Sequence, residues 1–322
     1  MKFHIYFEEG LPVKLFLESR EPETDQIDVF RFRSKVDGPL PGYEPGAHIE
    51  FDLGPAGTRA YSLIDWPEAT DLYAVAVQRE DDGKGGSKAM HDLAVGQTVS
   101  VTEPKNDFPL EQDAPHSLLL AGGIGITPLI SMATRLQSQG RSFALHYSAR
   151  TSSRMGFADQ LKSAFGEASH FYFDDTGPLD LSELMQAQTA GSHVFVCGPK
   201  GMIDAARTAA AAAGIPGDAV HVELFSTPEV QTGDSAFEIE VHDTGQVVTV
   251  APGQTIIEAL EEAGLDVMYD CQRGDCGICQ TDVISGTPDH RDVVLSDAEK
   301  ASGKVMQICV SRAKSARLVL DI

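Results

Sequence analysis

Three of the five cysteines in this 322-residue chain fall within nine positions, in "DCQRGDCGICQTD", residues 270–282, and a fourth follows in "MQICVSR". Four residues separate Cys271 from Cys276, two separate Cys276 from Cys279, and 29 separate Cys279 from Cys309. Such a group can be a metal-ligand set, a redox-active dithiol with a spare, or small apolar packing. As a ligand set it would require a loop to meet a segment distant in sequence, which few folds allow. Cys197 stands apart from the group. An odd total, low for the length, argues against a secreted disulfide framework.

The intervals are those of plant-type [2Fe-2S] ligation, in which one loop supplies three thiolates and the fold returns the fourth. Glycines in "GDCGIC" let backbone N–H groups approach the sulfurs. Zinc is the chemical rival, although zinc sites usually pair their close ligands two and two. Thiol redox chemistry and simple packing remain as further readings. Cys271, Cys276, Cys279 and Cys309 are the expected metal ligands.

The length suggests two or three domains of roughly 100 to 150 residues. Residues 1–107 hold short alternating runs ("LFLESR", "IDVFRFRS", "HIEFDL", "RAYSLI", "LYAVAVQRE", "TVSVTEP") between Pro and Gly clusters, which predicts an antiparallel β-barrel or sandwich. From residue 108 to 226 buried-strand and helix patterns alternate, as in "HSLLLAGGIGITPLISMATRLQSQG", which predicts a doubly wound α/β domain. A small polar stretch with a proline predicts a linker over 227–235. Residues 236–322 then give a hairpin, a short helix "TIIEALEEAG" and the cysteine loop, an α+β unit.

The formal net charge of -23 disfavours nucleic acid and anionic membranes, which are bound through clustered Lys and Arg. A protein partner with a basic docking patch is the better expectation. No stretch of 18 apolar residues occurs, and "MKFHIYFEEG" lacks the apolar core of a signal peptide, so a cytoplasmic location is expected.

"AGGIGITP" places Gly122, Gly123 and Gly125 between a buried strand and a helix, where a pyrophosphate can approach. Alone this is equally a tight turn, and it is not the G-x-G-x-x-G fingerprint. "FVCGPKGM" repeats the arrangement, so Cys197, Gly198, Pro199 and Met202 join Ser148 and Arg150 as candidate nucleotide-binding residues. Cys197 reads either as a small buried residue or as a nicotinamide contact. In "RAYSL", Arg59 can pair a phosphate, Tyr61 can lie against a flavin and Ser62 can hydrogen-bond it, with Ala60 between them. A surface arginine beside a core tyrosine is the commoner meaning of that pattern. The loop "DGKGGSK", with Lys84, Gly85, Gly86 and Ser87, offers donors for the same phosphate.

Taken in order, these motifs and the C-x4-C-x2-C loop resemble the phthalate dioxygenase reductase family of the ferredoxin-NADP reductase superfamily, and the tail "DHRDVVLSDAEKASGKVMQICVSRAKSARLVLDI" is similar as well. The resemblance spans essentially the whole chain. It implies a C-terminal β-grasp ferredoxin domain and a flavin held by Arg59, Tyr61, Ser62, Gly86 and Ser87. Thr127 falls near its phosphate or ring, and Phe225 in "VELF" is the aromatic near it. Ser62 and Thr127 are the expected catalytic, flavin-tuning residues. FMN is expected rather than FAD. NADH is expected rather than NADPH, although Thr151 stands where a ribose-binding carboxylate is sought, and Arg150 or Arg154 can accept a 2′-phosphate.

A nicotinamide gives two electrons as one hydride and a [2Fe-2S] cluster takes one, so a flavin must stand between them. The resemblance implies an NAD(P)H-dependent oxidoreductase that feeds a Rieske-type non-haem iron oxygenase, either a ring dioxygenase or a demethylase. A diiron monooxygenase or a cytochrome P450 is the alternative acceptor. An iron-sulfur redox sensor is the rival from another class, but it would need neither flavin nor nucleotide motif. Arg273 is a candidate partner contact or a solvated loop residue. His91, His146 and His290 are expected as ordinary core or surface histidines, Trp66 as a packing residue, and the protein as a possible monomer.

Overall fold

The computed structural model describes residues 13–35, 39–66, 72–225 and 233–322; most of the expected linker lies outside them. Contacts divide the chain into two units, Met1–His221 and Val222–Ile322.

The first unit begins with six strands: β1 (Val13–Pro22), β2 (Ile27–Ser34), β3 (His48–Asp52), β4 (Thr58–Ser62), β5 (Tyr73–Gln78) and β6 (Thr98–Val101). They form one antiparallel sheet in the order β4-β3-β6-β1-β2-β5. Ile64 N donates to Ala74 O at 2.8 Å, which joins the two edges and closes the barrel. Period-two alternation decides what each face buries. Phe30, Phe32, Tyr73, Val75 and Val77 fill the barrel. Ile27, Val29, Ala74 and Ala76, on the opposite faces of the same strands, pack into a second core. A short helix, α1 (Gly86–His91), covers the barrel between β5 and β6.

That second core belongs equally to the parallel sheet that follows. Its strands are β7 (Ser117–Gly122), β8 (Phe143–Ala149), β9 (Ser169–Phe173), β10 (His193–Cys197) and β11 (Val220–Glu223), in the order β11-β10-β7-β8-β9. The helices are α2 (Ile126–Ser138), α3 (Ala158–Phe165), α4 (Leu181–Gln186) and α5 (Lys200–Ala212). Every residue of β7 is buried, as its unbroken apolar run requires for a central strand. The chain runs outward from β7 through β8 to β9, then crosses back to β10. The sheet therefore switches direction between β7 and β10, where open α/β sheets bind their ligands. Trp66 packs on Phe157 at 6.1 Å between ring centroids, the packing role expected of it.

The second unit has a mixed five-stranded sheet built from β12 (Phe237–Val241), β13 (Val247–Val250), β14 (Gln280–Ser285), β16 (Val305–Gln307) and β18 (Arg317–Leu320), ordered β13-β12-β18-β14-β16. A small ribbon pairs β15 (Pro288–Asp289) with β17 (Arg312–Ala313). Parallel pairing of β12 with β18 inside an otherwise antiparallel sheet, with helix α6 (Ile256–Glu262) packed on its core, is the β-grasp arrangement. Helix α6 and the short α7 (Asp297–Ser302) both start with capping boxes, Thr255 with Glu258 and Ser296 with Glu299. The end of the expected linker is fixed within this unit: Asp234 accepts from Arg291 at 3.0 and 2.5 Å, and Arg291 also binds Asp289 at 2.8 Å. Among the described residues, no helix is long and apolar enough to cross a membrane.

Candidate functional site

The cysteine loop turns by three left-handed residues, Gln272 (φ 52), Gly274 (φ 85) and Gly277 (φ 82), which fold it back on itself. A Cβ on Gly274 would lie 2.7 Å from Val310 Cγ2 and 3.1 Å from Asp292 Cα, so the loop is pressed against the segment that follows Cys309. All four expected ligands meet there. Cys271 contacts Cys276 and Cys309, and Cys279 contacts Cys309. Donation from Cys276 and Cys309 lowers the Cys271 pKa, and donation from Cys309 lowers that of Cys279. The donors Cys276 and Cys309 are pushed up by the same contacts.

Backbone N–H groups already point at sulfur: Arg273 N donates to Cys271 Sγ at 3.3 Å, and the Ile278 amide bonds Cys276. Thiolates bound to iron need such donors. Gln307, fully buried, accepts from Cys279 Sγ at 3.4 Å. Among the described residues no three of these side chains are placed to hold one metal ion, but four sulfurs interacting in pairs, with amide donors, have the chemistry of a [2Fe-2S] cluster, whose two irons take two thiolates each.

Arg273 is not a solvated loop residue. Its side chain is 13% exposed and lies 3.4 Å from Asp275. Asp275 also accepts from Leu224 N at 2.8 Å, and burial pushes its pKa up to about 7. Phe225 is 44% exposed in the same unit. His91 is buried with its ring nitrogen 3.0 Å from Val77 O, and His146 faces Tyr172 Oη at 2.9 Å, both as core residues. His290 lies 3.8 Å from Asp292.

In the first unit the flavin candidates gather at the end of β4. Arg59 lies across Gly86, where a Cβ would come 2.5 Å from Arg59 Cγ and 2.8 Å from its Cδ. Glycine at 86 is what lets the guanidinium stem reach that loop. Gly85, left-handed at φ 90, turns the chain into α1, and Ser87 Oγ accepts from Glu80 N at 3.0 Å. Lys84 is exposed beside it, and Ala60 is half-buried. Tyr61 packs edge-on against Phe51 at 5.7 Å, and burial pushes its pKa up to about 12. Ser62 is 4% exposed and its Oγ has no hydrogen-bond partner among the described residues. A buried hydroxyl left alone costs about 1–3 kcal/mol, and a heteroaromatic ring with polar edge atoms removes that cost. Both the Arg59–Gly86 cradle and the unpaired Ser62 hydroxyl therefore fit a phosphorylated flavin.

The two glycine turns of the nucleotide part sit back to back at the switch point. A Cβ on Gly122 would be 2.7 Å from Met202 Sδ and from Pro199 Cδ; one on Gly198 would be 3.0 Å from Gly122 Cα. One on Gly125 would be 2.3 Å from Cys197 O. Gly123 is left-handed at φ 56. Cys197 is 1% exposed, in register with Ala121. Ser148 Oγ donates to Ala121 O at 3.2 Å, and Thr127 Oγ1 donates to Ile124 O at 3.1 Å, which leaves its lone pairs to accept. Arg150 and Arg154 are exposed just past β8. Thr151 Oγ1 lies 3.1 Å from Ser153 Oγ.

Two residues at these sites carry no signal of their own in the sequence. Gln307 sits two residues before Cys309, and Asp275 sits inside the loop. Their position beside the ligands is the only cue that could have found them.

Residues 239–314 match the 2Fe-2S iron-sulfur cluster binding domain family, and residues 119–208 the oxidoreductase NAD-binding domain family. The chain is 43% identical over 291 residues to a vanillate O-demethylase oxidoreductase of a Pseudomonas strain, covering 88% of this chain and 92% of the relative. Phthalate dioxygenase reductase, described as a modular structure for electron transfer from pyridine nucleotides to [2Fe-2S], aligns with TM-score 0.70 and 34% identity over 97% of this chain and 98% of that one. An intact type IV self-sufficient cytochrome P450 monooxygenase aligns with TM-score 0.75 and 36% identity; 97% of this chain matches 41% of that longer protein.

Proposed function

Because the chain belongs to the phthalate dioxygenase reductase family, we propose that it accepts a hydride from NADH and delivers single electrons, through FMN and a [2Fe-2S] cluster, to a Rieske-type non-haem iron oxygenase. That it is an oxidoreductase with NAD-binding and [2Fe-2S] domains follows from the family. The flavin supplies the conversion from two electrons to one. The chain's own residues bind and orient: Arg59, Gly86 and Ser87 hold the phosphate, Tyr61 flanks the ring, and Ser62 meets its polar edge. Thr127 faces the same edge from α2. Gly122, Gly123, Gly125, Ser148, Gly198, Pro199 and Met202 shape the nucleotide crevice, with Cys197 forming its floor. Cys271, Cys276, Cys279 and Cys309 hold the cluster. No proton donor or acceptor is required of the protein.

The observation that carries the reading is the buried Ser62 hydroxyl, unbonded among the described residues, on the same strand as the Arg59 that crosses Gly86 and in the same unit as the glycine crevice. A redox sensor would have no use for either. The relatives' oxygenase partners, and the -23 charge, favour a cytoplasmic oxygenase with a basic docking face and an on-rate that falls with salt.

An anaerobic titration followed by visible absorbance tests the path. NADH should bleach flavin and iron-sulfur bands together; a protein with cluster colour that neither NADH nor NADPH bleaches despite full flavin loading refutes it. Exposed Arg150 and Arg154, with Thr151 between them, favour a second reading in which NADPH also serves, and a fresh sample titrated with NADPH decides between the two. Reconstitution with a Rieske oxygenase, against a cytochrome P450 and a diiron monooxygenase, identifies the acceptor.

A further inference from the structure

Ser131 lies on α2 one helical turn beyond Thr127, on the same face, and is fully buried. Its hydroxyl spans the boundary between the nucleotide part and the barrel. It donates to Leu63 O at 2.7 Å and accepts from Asp65 N at 2.8 Å. Those residues directly follow Ser62. Within the barrel, Leu63 N is held by Ala47 O at 2.8 Å and Ile64 N by Ala74 O at 2.8 Å. The segment after Ser62 is therefore pinned to the barrel through some of its backbone groups and to α2 through the others. Helix α2 itself starts at the Gly122–Gly125 turn.

We propose that Ser131 is a positioning residue for hydride transfer, fixing the strand that carries Ser62 against the helix that grows from the nucleotide turn; the inference rests on the function assigned above. Ile64, Leu129 and Ile130 share one apolar cluster across this boundary. Apolar contact holds the two parts together but is non-directional, so it permits sliding. A hydroxyl that donates to one backbone group and accepts from another sets the register. In the step so positioned, the nicotinamide C4–H bond breaks, its hydrogen and electron pair pass to the flavin, and Ser131 loses no proton.

The test compares Ser131→Ala and Ser131→Cys with Thr134→Ala in the full-length, flavin- and cluster-loaded protein. Thr134 is buried on the same helix and its hydroxyl bonds nothing among the described residues. In S131A, hydrogen exchange at the Asp65 amide should rise about tenfold, the worth of one net hydrogen bond. Flavin reduction by NADH should slow about 10- to 100-fold, the usual penalty for a small misplacement, with KM for NADH, flavin content and cluster absorbance unchanged. S131C keeps the volume but donates weakly and should fall between; T134A should match wild type.

A wild-type reduction rate in S131A, or equal slowing in T134A, overturns the proposal. Failure of wild-type flavin to accept electrons from either nucleotide refutes the assigned function instead, and this inference with it.

Discussion

Replacing Gly125 by alanine tests whether the two back-to-back turns shape the nucleotide crevice. The new Cβ would lie 2.3 Å from Cys197 O, 2.5 Å from Cys197 C and 2.8 Å from Gly198 N. All three are backbone atoms, so no side-chain rotation relieves the overlap. Carbon contacts are comfortable only near 3.5–4.0 Å, and the turns must separate by roughly 1 Å. Overpacking of this kind costs about 1–3 kcal/mol. At about 2–4 °C per kcal/mol for a unit of this size, the first unit should melt roughly 2–12 °C lower. Function should suffer more, because a shift of about 1 Å between a bound group and its reaction partner costs on the order of 100-fold.

Gly123→Ala is the matched control. Nothing lies within 4 Å of its Cβ, and its cost is confined to the left-handed backbone at φ 56, about 1–2 kcal/mol. Calorimetry of NAD+ binding and anaerobic stopped-flow flavin reduction read the two variants. If G125A binds and reacts as wild type, or if G123A loses as much affinity, the close approach of the turns is not what forms the site.

Cys309→Ser should abolish cluster absorbance and its electron paramagnetic resonance signal, yet leave flavin reduction by NADH within about twofold, since thiolates of one loop cannot complete a four-thiolate site; retention of the signal would remove Cys309 from the ligand set. Burial lowers the His146 pKa from 6.5 to about 4, with His170 and His116 adding to the effect. The folded state therefore resists protonation that the unfolded chain accepts, so stability is full above pH 6.5 and is lost as pH falls from 6.5 toward 4. His146→Gln should flatten that acid-side loss by up to one proton's worth of slope in pH-dependent melting, and an unchanged slope would show that the ring does not titrate on unfolding.

The cysteine group stood out because Cys271, Cys276 and Cys279 are close in sequence, whereas Cys309, beyond a 29-residue gap, joined the expected set only through the interval pattern. Strands β2 and β5 were equally plain, since "IDVFRFRS" and "YAVAVQ" alternate in side-chain size. What alternation could not tell was that both faces would be buried, one inside the barrel and one against α2. That the two glycine turns would adjoin was legible from the repeated strand-and-turn pattern of "AGGIGITP" and "FVCGPKGM", and β10 returning beside β7 brings them together. Arg273 reads in sequence as one more loop charge, and only the fold turns it inward against Asp275. Ser131 and Gln307 look like ordinary helix and strand residues. Their partners, Leu63 and Cys279, stand 68 and 28 positions away, beyond the reach of any local pattern.

The core that joins barrel and nucleotide part has a practical consequence. Sequence character changes near residue 108, which invites cutting the chain there. A fragment ending at residue 107 would uncover Ile27, Val29, Ile64, Ala74 and Ala76, which in the intact chain cluster with Leu129, Ile130 and Tyr147. An apolar face of that kind on a free barrel promotes self-association and aggregation during expression. By contrast, the buried cluster around the cysteines is drawn from residues 237–320, so a fragment of the second unit keeps that core intact, while Val247, Met268, Ile278, Ile284 and Val294 are exposed on it as they are in the whole chain.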